Sequence, residues 1–402
     1  MENLSPVILL DKPYISDLLL ETIKELNVPA FLCNKDIIPN KQYTSMFISK
    51  EQLTNKLKEN SLVYLNSENA ISCLLDYSSN KEFTKTTQLL KNKVKFREMT
   101  KDMYPNFNFK GISIEKLANL NRKDCIFPFI LKPSVGFFSM NVYKINNFDE
   151  YKNVIKNIEN ERKKAEFLYP KHVIDNSEFI IEEYLAGEEF AIDAYYNSEG
   201  KPIILNILKH LFSSEDDTSD RIYYTHKNII NQYLNQFTKE LDKLGKIFNL
   251  KGYPVHVEFR VIDNKTIVPI EINPLRFAGW CTSELMKFAF NLNPYEYYFK
   301  QKEPSWNEIF KGRENNYYSI NVADIPKSID ISDIVYVDYE RFSTSFSNLL
   351  QMRKINYKEY PVFAFAFAET RNFEEMVRFL KEDLSKYLIT KQQNSLESNI
   401  FT

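Results

Sequence analysis

Glu258, Glu271 and Asn273 are three oxygen-bearing side chains on one short stretch, VHVEFRVIDNKTIVPIEIN, residues 255–273. Two carboxylates and an amide oxygen are hard ligands, the kind that Mg²⁺ takes. The stretch reads as a β-hairpin turning at Asp263-Asn264. A two-residue turn pairs Ile262 with Lys265, Glu258 with Pro269 and His256 with Glu271. Side chains alternate along a strand. Val255, Val257, Phe259, Val261, Val268, Ile270 and Ile272 therefore face a core, and His256, Glu258, Arg260, Glu271 and Asn273 share the other face. Glu258 and Glu271 become diagonal neighbours, within reach of one ligand. The plainer alternative is a solvated polar face with a salt bridge through Arg260. A one-residue change in turn length would part the two carboxylates.

Three further stretches carry chemistry. In FILKPSVGFFSMNV, residues 129–142, Lys132 ends an apolar strand. The loop after it, with Ser134, Gly136 and Ser139, can aim N–H groups and hydroxyls at an anion. The alternative is an ordinary hairpin loop. In IIEEYLAGEEF, residues 180–190, a strand runs into a short linker. Main-chain groups of Glu183 and Leu185 suit an adenine edge and Glu189 suits ribose hydroxyls; the alternative is an acidic surface turn. Lys209 ends a strand at residues 203–208, either as a phosphate or substrate contact or as a solvated strand end.

The elements that must position these groups alternate between strand and helix. Strands at 6–10, 28–33 and 62–65, with helices from Ser16-Asp17 to Leu26 and at 51–60 and 66–75, predict a small parallel α/β domain. No Gly-rich dinucleotide fingerprint follows its first strand. A basic helix over 84–104, with Lys85, Lys91, Lys93, Lys95, Arg97 and Lys101, reads as a solvated face closed by Pro105. Strands follow at 126–131, 142–145, 179–184, 190–196 and 202–210, with a charged helix at 149–167. The segment 212–221 is acidic and reads as a mobile loop. Residues 228–250 have helical apolar spacing through Ile230, Phe237, Leu241, Leu244 and Phe248. Beyond a helix at 282–290, strands are expected at 334–339 and 362–368. A helix from Phe373 is expected to be capped by Asn372 with Glu375.

Composition narrows the class. The chain has 402 residues, 44% hydrophobic and 26% charged, with a net charge of −2. That is the make-up of a globular protein of two or three domains. Neither a basic excess for nucleic acid nor a polybasic segment for a membrane surface is present. The N-terminus lacks a basic n-region, and no apolar run reaches membrane-spanning length. Cys33, Cys73, Cys125 and Cys281 are scattered without metal or disulfide spacing, as in reduced cytoplasmic proteins. His172, His210, His226 and His256 form no zinc pattern.

The order strand-Lys132-Pro-Gly loop, then Glu182-Glu-x-Leu-x-Gly187-x-Glu189, then Glu258 and Glu271-x-Asn273-Pro, resembles the ATP-grasp superfamily over about residues 90–300. That superfamily includes D-alanine–D-alanine ligases, carboxylate–amine ligases and biotin carboxylase. The resemblance implies an α/β fold (α+β grasp): a pre-grasp α/β domain at 1–90, a two-lobed grasp domain at 91–316 (lobes 91–184 and 185–316) and an α/β extension at 317–402. It implies ATP and one or two Mg²⁺ ions, or Mn²⁺, as cofactors. Lys93, Lys132 and Ser139 would contact phosphates, Glu182, Glu183 and Leu185 the adenine, and Glu189 the ribose. Glu258, Glu271 and Asn273 would hold the metal. Arg276 and Lys209 would act on the transferring phosphate or substrate carboxylate, and Arg221 and His256 would touch substrate. The implied activity is ligation of a small-molecule carboxylate to an amine through an acyl phosphate, in a cytoplasmic enzyme with a homodimer as an option. An ATP-binding scaffold and a kinase on the same fold are the alternatives. Two departures stand out. Asn141 occupies a usual glycine position, and Leu275 separates Pro274 from Arg276, one residue beyond the common Asn-Pro-Arg.

Overall fold

A computed structural model describes residues 5–37, 40–58, 61–136, 142–165, 175–214, 217 and 219–391, apart from the side chains of residues 124, 159–165 and 175–177. The chain forms two compact units. The first comprises Met1–Leu205, Asn235–Ser283 and Tyr295–Glu303, and the second Asn206–Leu234, Glu284–Pro294 and Pro304–Thr402. Packing thus regroups the chain across the linear division at 90 and 316. No helix among the described residues is long and apolar enough to cross a membrane.

In the first unit, Ser5–Leu10 lies between Ala30–Leu32 and Ser61–Leu65 in a three-stranded parallel sheet. The helix Asp17–Glu25 begins where Ser16 Oγ accepts the Leu19 N–H at 3.1 Å, the expected cap. Ile8, Leu10, Leu19, Ile23 and Tyr64 bury themselves with Tyr295 and Tyr298 as the core of this sheet. A second, antiparallel sheet has the order Phe109–Ser113, Asp175–Glu183, Phe129–Val135, Tyr143–Ile145. Its edge strand Phe109–Ser113 escapes the sequence reading because FKGIS is short and interrupted by Gly111. Phe129, Leu131 and Phe179 pack on one face of this sheet. Alternation then leaves Lys132 and Glu182 together on the other.

The basic segment is not one solvated helix. It forms Lys81–Lys91 and Lys93–Thr100, broken at Asn92, whose Oδ1 accepts the Lys95 N–H at 3.0 Å. Lys91, Lys93 and Arg97 are buried. Charge alone cannot distinguish a wet face from one that meets carboxylates supplied by distant strands.

The hairpin forms from Tyr253–Ile262 and Thr266–Pro274, against Glu188–Tyr196. Its register differs from expectation. Asp263 and Asn264 take positive φ and Lys265 N–H bonds Ile262 O at 3.0 Å, yet Ile262 pairs with Thr266. A bulge at Ile270 then shifts the ladder again, so Glu258 lies directly opposite Glu271 and His256 opposite Asn273. The two one-residue slips cancel in parity. The polar face therefore survives, while Ile267 and Pro269, not Val268 and Ile270, line up with the core-facing Val261 and Phe259. Phe259 and Phe190 both pack against Phe237 of the amphipathic helix Lys227–Phe248 with tilted rings, centroids 5.2 and 5.4 Å away.

The second unit is an antiparallel array ordered Pro202–Leu211 (from Asn206), Ile222–Thr225, Tyr317–Asp324, Val362–Thr370, Asn348–Lys354. The strands Ile222–Thr225, Tyr317–Asp324 and Asn348–Lys354 are absent from the sequence reading. Asn372 caps the helix Phe373–Leu380 through the Glu374 N–H at 3.1 Å. Glu375 does not complete a capping pair; its carboxylate accepts from Ser347 N at 2.9 Å and from Thr370 Oγ1 at 2.9 Å.

Candidate active site

The helix Lys93–Thr100 places Lys93 and Arg97 one turn apart on one face. Lys93 Nζ reaches Glu271 Oε2 at 3.0 Å and Gly136 O at 3.3 Å. Arg97 Nε meets Glu182 Oε1 at 2.5 Å, and its Nη1 donates to Pro269 O beside the hairpin bulge. Lys132 Nζ takes the other Glu182 oxygen, Oε2, at 2.7 Å. One buried carboxylate therefore holds two cations from two elements. Burial alone would raise the Glu182 pKa, but Arg97 and Lys132 hold it down at about 2. Burial also pushes the Lys132 pKa below the usual lysine range, with Glu182 opposing. For Glu271, burial pushes upward and the charges of Lys93 and Lys91 outweigh it, so the carboxyl sits below its ordinary value.

On the hairpin face, Asn273 is buried and its Oδ1 has no hydrogen-bond partner among the described residues. An orphaned buried acceptor is costly unless a cation or donor reaches it. Beside it, His256 Nδ1 contacts Asp193 Oδ1 at 2.8 Å, and His256 Nε2 stands 3.8 Å from Glu258 Oε1. Among the described residues no three His, Cys, Asp or Glu side chains cluster as a metal site. The oxygen set is two cross-strand carboxylates plus the orphan amide. That set suits Mg²⁺, which keeps some of its own waters.

The segment Tyr184–Ala186 joins the strands Asp175–Glu183 and Glu188–Tyr196 as extended chain. The main chain of Leu185 makes no hydrogen bond to any described residue. Glu183 is tied down, its carboxylate accepting Asn108 N–H at 2.8 Å and Nδ2 at 2.7 Å. Gly187 must be glycine, because a Cβ there would lie 2.4 Å from Val261 O. Glu189 Oε2 meets its cross-strand partner Arg260 at 2.8 Å.

Residues 125–284 match the ATP-grasp domain family. The chain carries an ATP-grasp domain. No curated protein matches the sequence. Solved structures of the superfamily align along nearly the whole chain. An L-amino acid ligase from Bacillus licheniformis is 14% identical with a TM-score of 0.67, covering 97% of this chain and 99% of its own. N5-carboxyaminoimidazole ribonucleotide synthetase from Thermotoga maritima is 13% identical with a TM-score of 0.61, covering 96% and 99%. The biotin carboxylase domain of a Hydrogenobacter thermophilus 2-oxoglutarate carboxylase, solved with MgADP and bicarbonate, is 11% identical with a TM-score of 0.58, covering 99% and 98%. At such identities the likeness is one of fold.

Within this ATP-grasp fold two acidic residues that the sequence reading passed over become visible. Glu68 follows the strand Ser61–Leu65 and is buried between Lys91 and Arg276, contacting both. Burial would raise its pKa, yet the two cations hold it at about 2. Asp193 orients His256 and accepts the Ala278 N–H at 2.7 Å. The signal for each was a lone acid at or just beyond an apolar strand, too common to single out. Leu275, the extra residue before Arg276, adopts φ 62° and is fully buried. Its carbonyl accepts the Leu65 N–H at 2.8 Å, so the insertion is absorbed at one left-handed position while Arg276 meets Glu68.

Not every expected residue joins this cluster. Ser139 and Asn141 lie outside the described residues. Lys209 falls in the second unit, inside its strand rather than at the end, paired with Tyr224. Arg221 is also in the second unit. Its guanidinium pairs with Asp324 at 3.1 Å and donates to Glu382 O at 2.9 Å and Leu380 O at 3.3 Å. The acidic loop is described only in part. There Asp217 Oδ2 accepts Ser213 N–H at 2.8 Å and Oδ1 accepts Ser219 N–H at 2.9 Å.

Proposed function

We propose that this protein is an ATP-dependent ligase that joins a small-molecule carboxylate to an amine and releases ADP and phosphate. The observation that carries the reading is the buried Asn273 Oδ1, unpartnered among the described residues, on the face shared with Glu258 and Glu271, next to Lys93. A cation-seeking oxygen set beside buried lysines suits metal-assisted phosphoryl transfer. Mg²⁺, or Mn²⁺, held by Glu258, Glu271 and Asn273 would neutralise phosphate charge. Lys132 and Lys93 spread positive charge over the phosphates, and Glu182 with Arg97 keeps Lys132 aimed. The main chain of Glu183 and Leu185 takes the adenine edge and Glu189 the ribose. Arg276, gripped by Glu68, offers its guanidinium to the substrate carboxylate or acyl phosphate. Ser139 adds a phosphate contact, and His256 touches substrate. In the overall reaction a carboxylate oxygen attacks the γ-phosphorus and ADP departs. The amine then attacks the acyl carbon, phosphate leaves and the amine sheds a proton.

The linear parts 1–90, 91–316 and 317–402 serve as the pre-grasp domain, the grasp domain and a C-terminal extension. The four cysteines are free thiols, which suits a cytoplasmic setting. Release of ADP and phosphate over pools of amino acids and carboxylic acids tests the ligase reading. Phosphate appearing only when acid and amine are both present supports it. ADP with a stable phosphorylated product means a kinase. Mg-ATP binding without turnover in any pool leaves a non-catalytic binder.

A further inference from the structure

The second unit contains a cleft of about 540 Å³ where the strand Val362–Thr370 ends and the helix Phe373–Leu380 begins. It shares no residue with the nucleotide site, and its size is that of a small-molecule pocket. Four charged side chains line it: Glu369, Arg371, Glu375 and Arg378. They do not neutralise one another by ion pairing. Glu369 Oε2 accepts from Asn348 Nδ2 at 2.8 Å, and its Oε1 accepts from Asn316 Nδ2 and from Tyr318 OH at 3.2 Å. Glu375 is held by Ser347 and Thr370. Burial pushes the Glu375 pKa up, but these donors and the nearby Arg378 charge hold it below the usual carboxylate range, so it stays ionised. Both carboxylates are thus fixed in place by neutral donors. Glu369 Oε2 and Glu375 Oε1 each accept a single bond, so a lone pair remains on each.

The arginines are arranged the opposite way. Arg371 uses only Nε, donating to Asn316 Oδ1 at 3.1 Å. The Arg378 guanidinium makes no hydrogen bond or ion pair to any described residue, and both arginines are exposed. Their guanidinium edges can grip a carboxylate bidentately. The four charges sum to zero. A bare anion would face two carboxylates and a bare cation two guanidiniums. A molecule with both charges meets each with its opposite.

We propose that this cleft binds a free α-amino acid, its carboxylate on Arg371 and Arg378 and its ammonium on Glu369 and Glu375. This goes beyond the ligase reading and stands or falls apart from it. Saturation-transfer NMR on the full-length protein with pools of the twenty common L-α-amino acids finds the ligand, and calorimetry measures it. Acetate and methylammonium serve as half-ligands. Expected is binding of at least one amino acid, weakened more than about tenfold in Arg371→Ala, Arg378→Ala and the double variant, and retained in Arg276→Ala. Tenfold corresponds to about 1.4 kcal/mol. Both half-ligands should bind far more weakly. No binding from any pool, binding indifferent to both arginines, loss in Arg276→Ala instead, or acetate binding as tightly as the amino acid would each overturn the proposal. Unchanged thermal melting of the two arginine variants separates lost binding from lost folding.

Discussion

The two charged sites of this protein satisfy their charges in different ways. In the first unit the cations are matched by carboxylates: Lys132 and Arg97 by Glu182, Lys91 and Arg276 by Glu68, Lys93 by Glu271. What remains there among the described residues is two acceptors, Asn273 Oδ1 and Asp193 Oδ2, and one donor, Arg276 Nε. In the second unit's cleft the carboxylates are matched by hydroxyls, amides and a main-chain N–H. What remains there is the positive charge of Arg371 and Arg378 and a lone pair on each carboxylate. Depth decides the difference. A buried charge needs an opposite charge close by, whereas an exposed guanidinium is kept by water until a ligand arrives. The hairpin face of the first site is therefore shaped to receive a cation, and the second site to receive a molecule that carries both charges.

Five measurements would break or sharpen this contrast. Glu271→Gln should lower turnover by more than about 100-fold while circular dichroism stays native; an active variant removes Glu271 from the metal set. Arg97→Ala leaves buried Glu182 with Lys132 alone and Pro269 O without its Arg97 donor, and denaturant unfolding should show a loss of about 3 kcal/mol. A loss below about 1 kcal/mol would mean that this pairing is dispensable. Lys132→Ala should raise the Kd for ATP at least about tenfold, and an unchanged Kd rejects its phosphate role. Acid provides a fourth handle. Glu68 and Glu182 sit at about 2 against an ordinary 4.5. A depressed carboxylate stabilises the fold fully above the unfolded value and loses that contribution as pH falls from about 4.5 toward 2. Stability should therefore drop steeply across that window, and Glu182→Gln should flatten part of the slope. A curve as steep in the variant as in the parent would contradict the assignment. The smallest effect belongs to Arg378→Ala, which should change stability by less than about 0.5 kcal/mol. A larger loss would mean that its charge is already used in the fold.

Much of the first unit was legible from local chemistry. The Ser16 cap, the parallel strands and the apolar spacing through Phe237 and Leu244 act over a few residues, and they form as read. The hairpin shows where such reading stops. Its turn falls at Asp263-Asn264 as expected, yet its register slips twice. A bulge at Ile270 depends on what the neighbouring chain offers: Arg97 donates to Pro269 O, and Ile270 O lies 3.5 Å from Lys132 Nζ. In the second unit the edge strand Asn348–Lys354 and the partner of Glu375 went unread, since both depend on a sheet assembled from distant segments.

The sequence by itself determined which residues could hold a metal and phosphates, and on which strand faces they stand, because side-chain alternation needs only local geometry. Tertiary structure alone decided which charges meet. The basic helix became a buried row of cations only because Glu68, Glu182 and Glu271 arrive from three other elements. Arg276 finds Glu68 across 208 residues of chain only because Leu275 turns left-handed. Ion pairs act through space at a few ångströms, and sequence order does not record that distance.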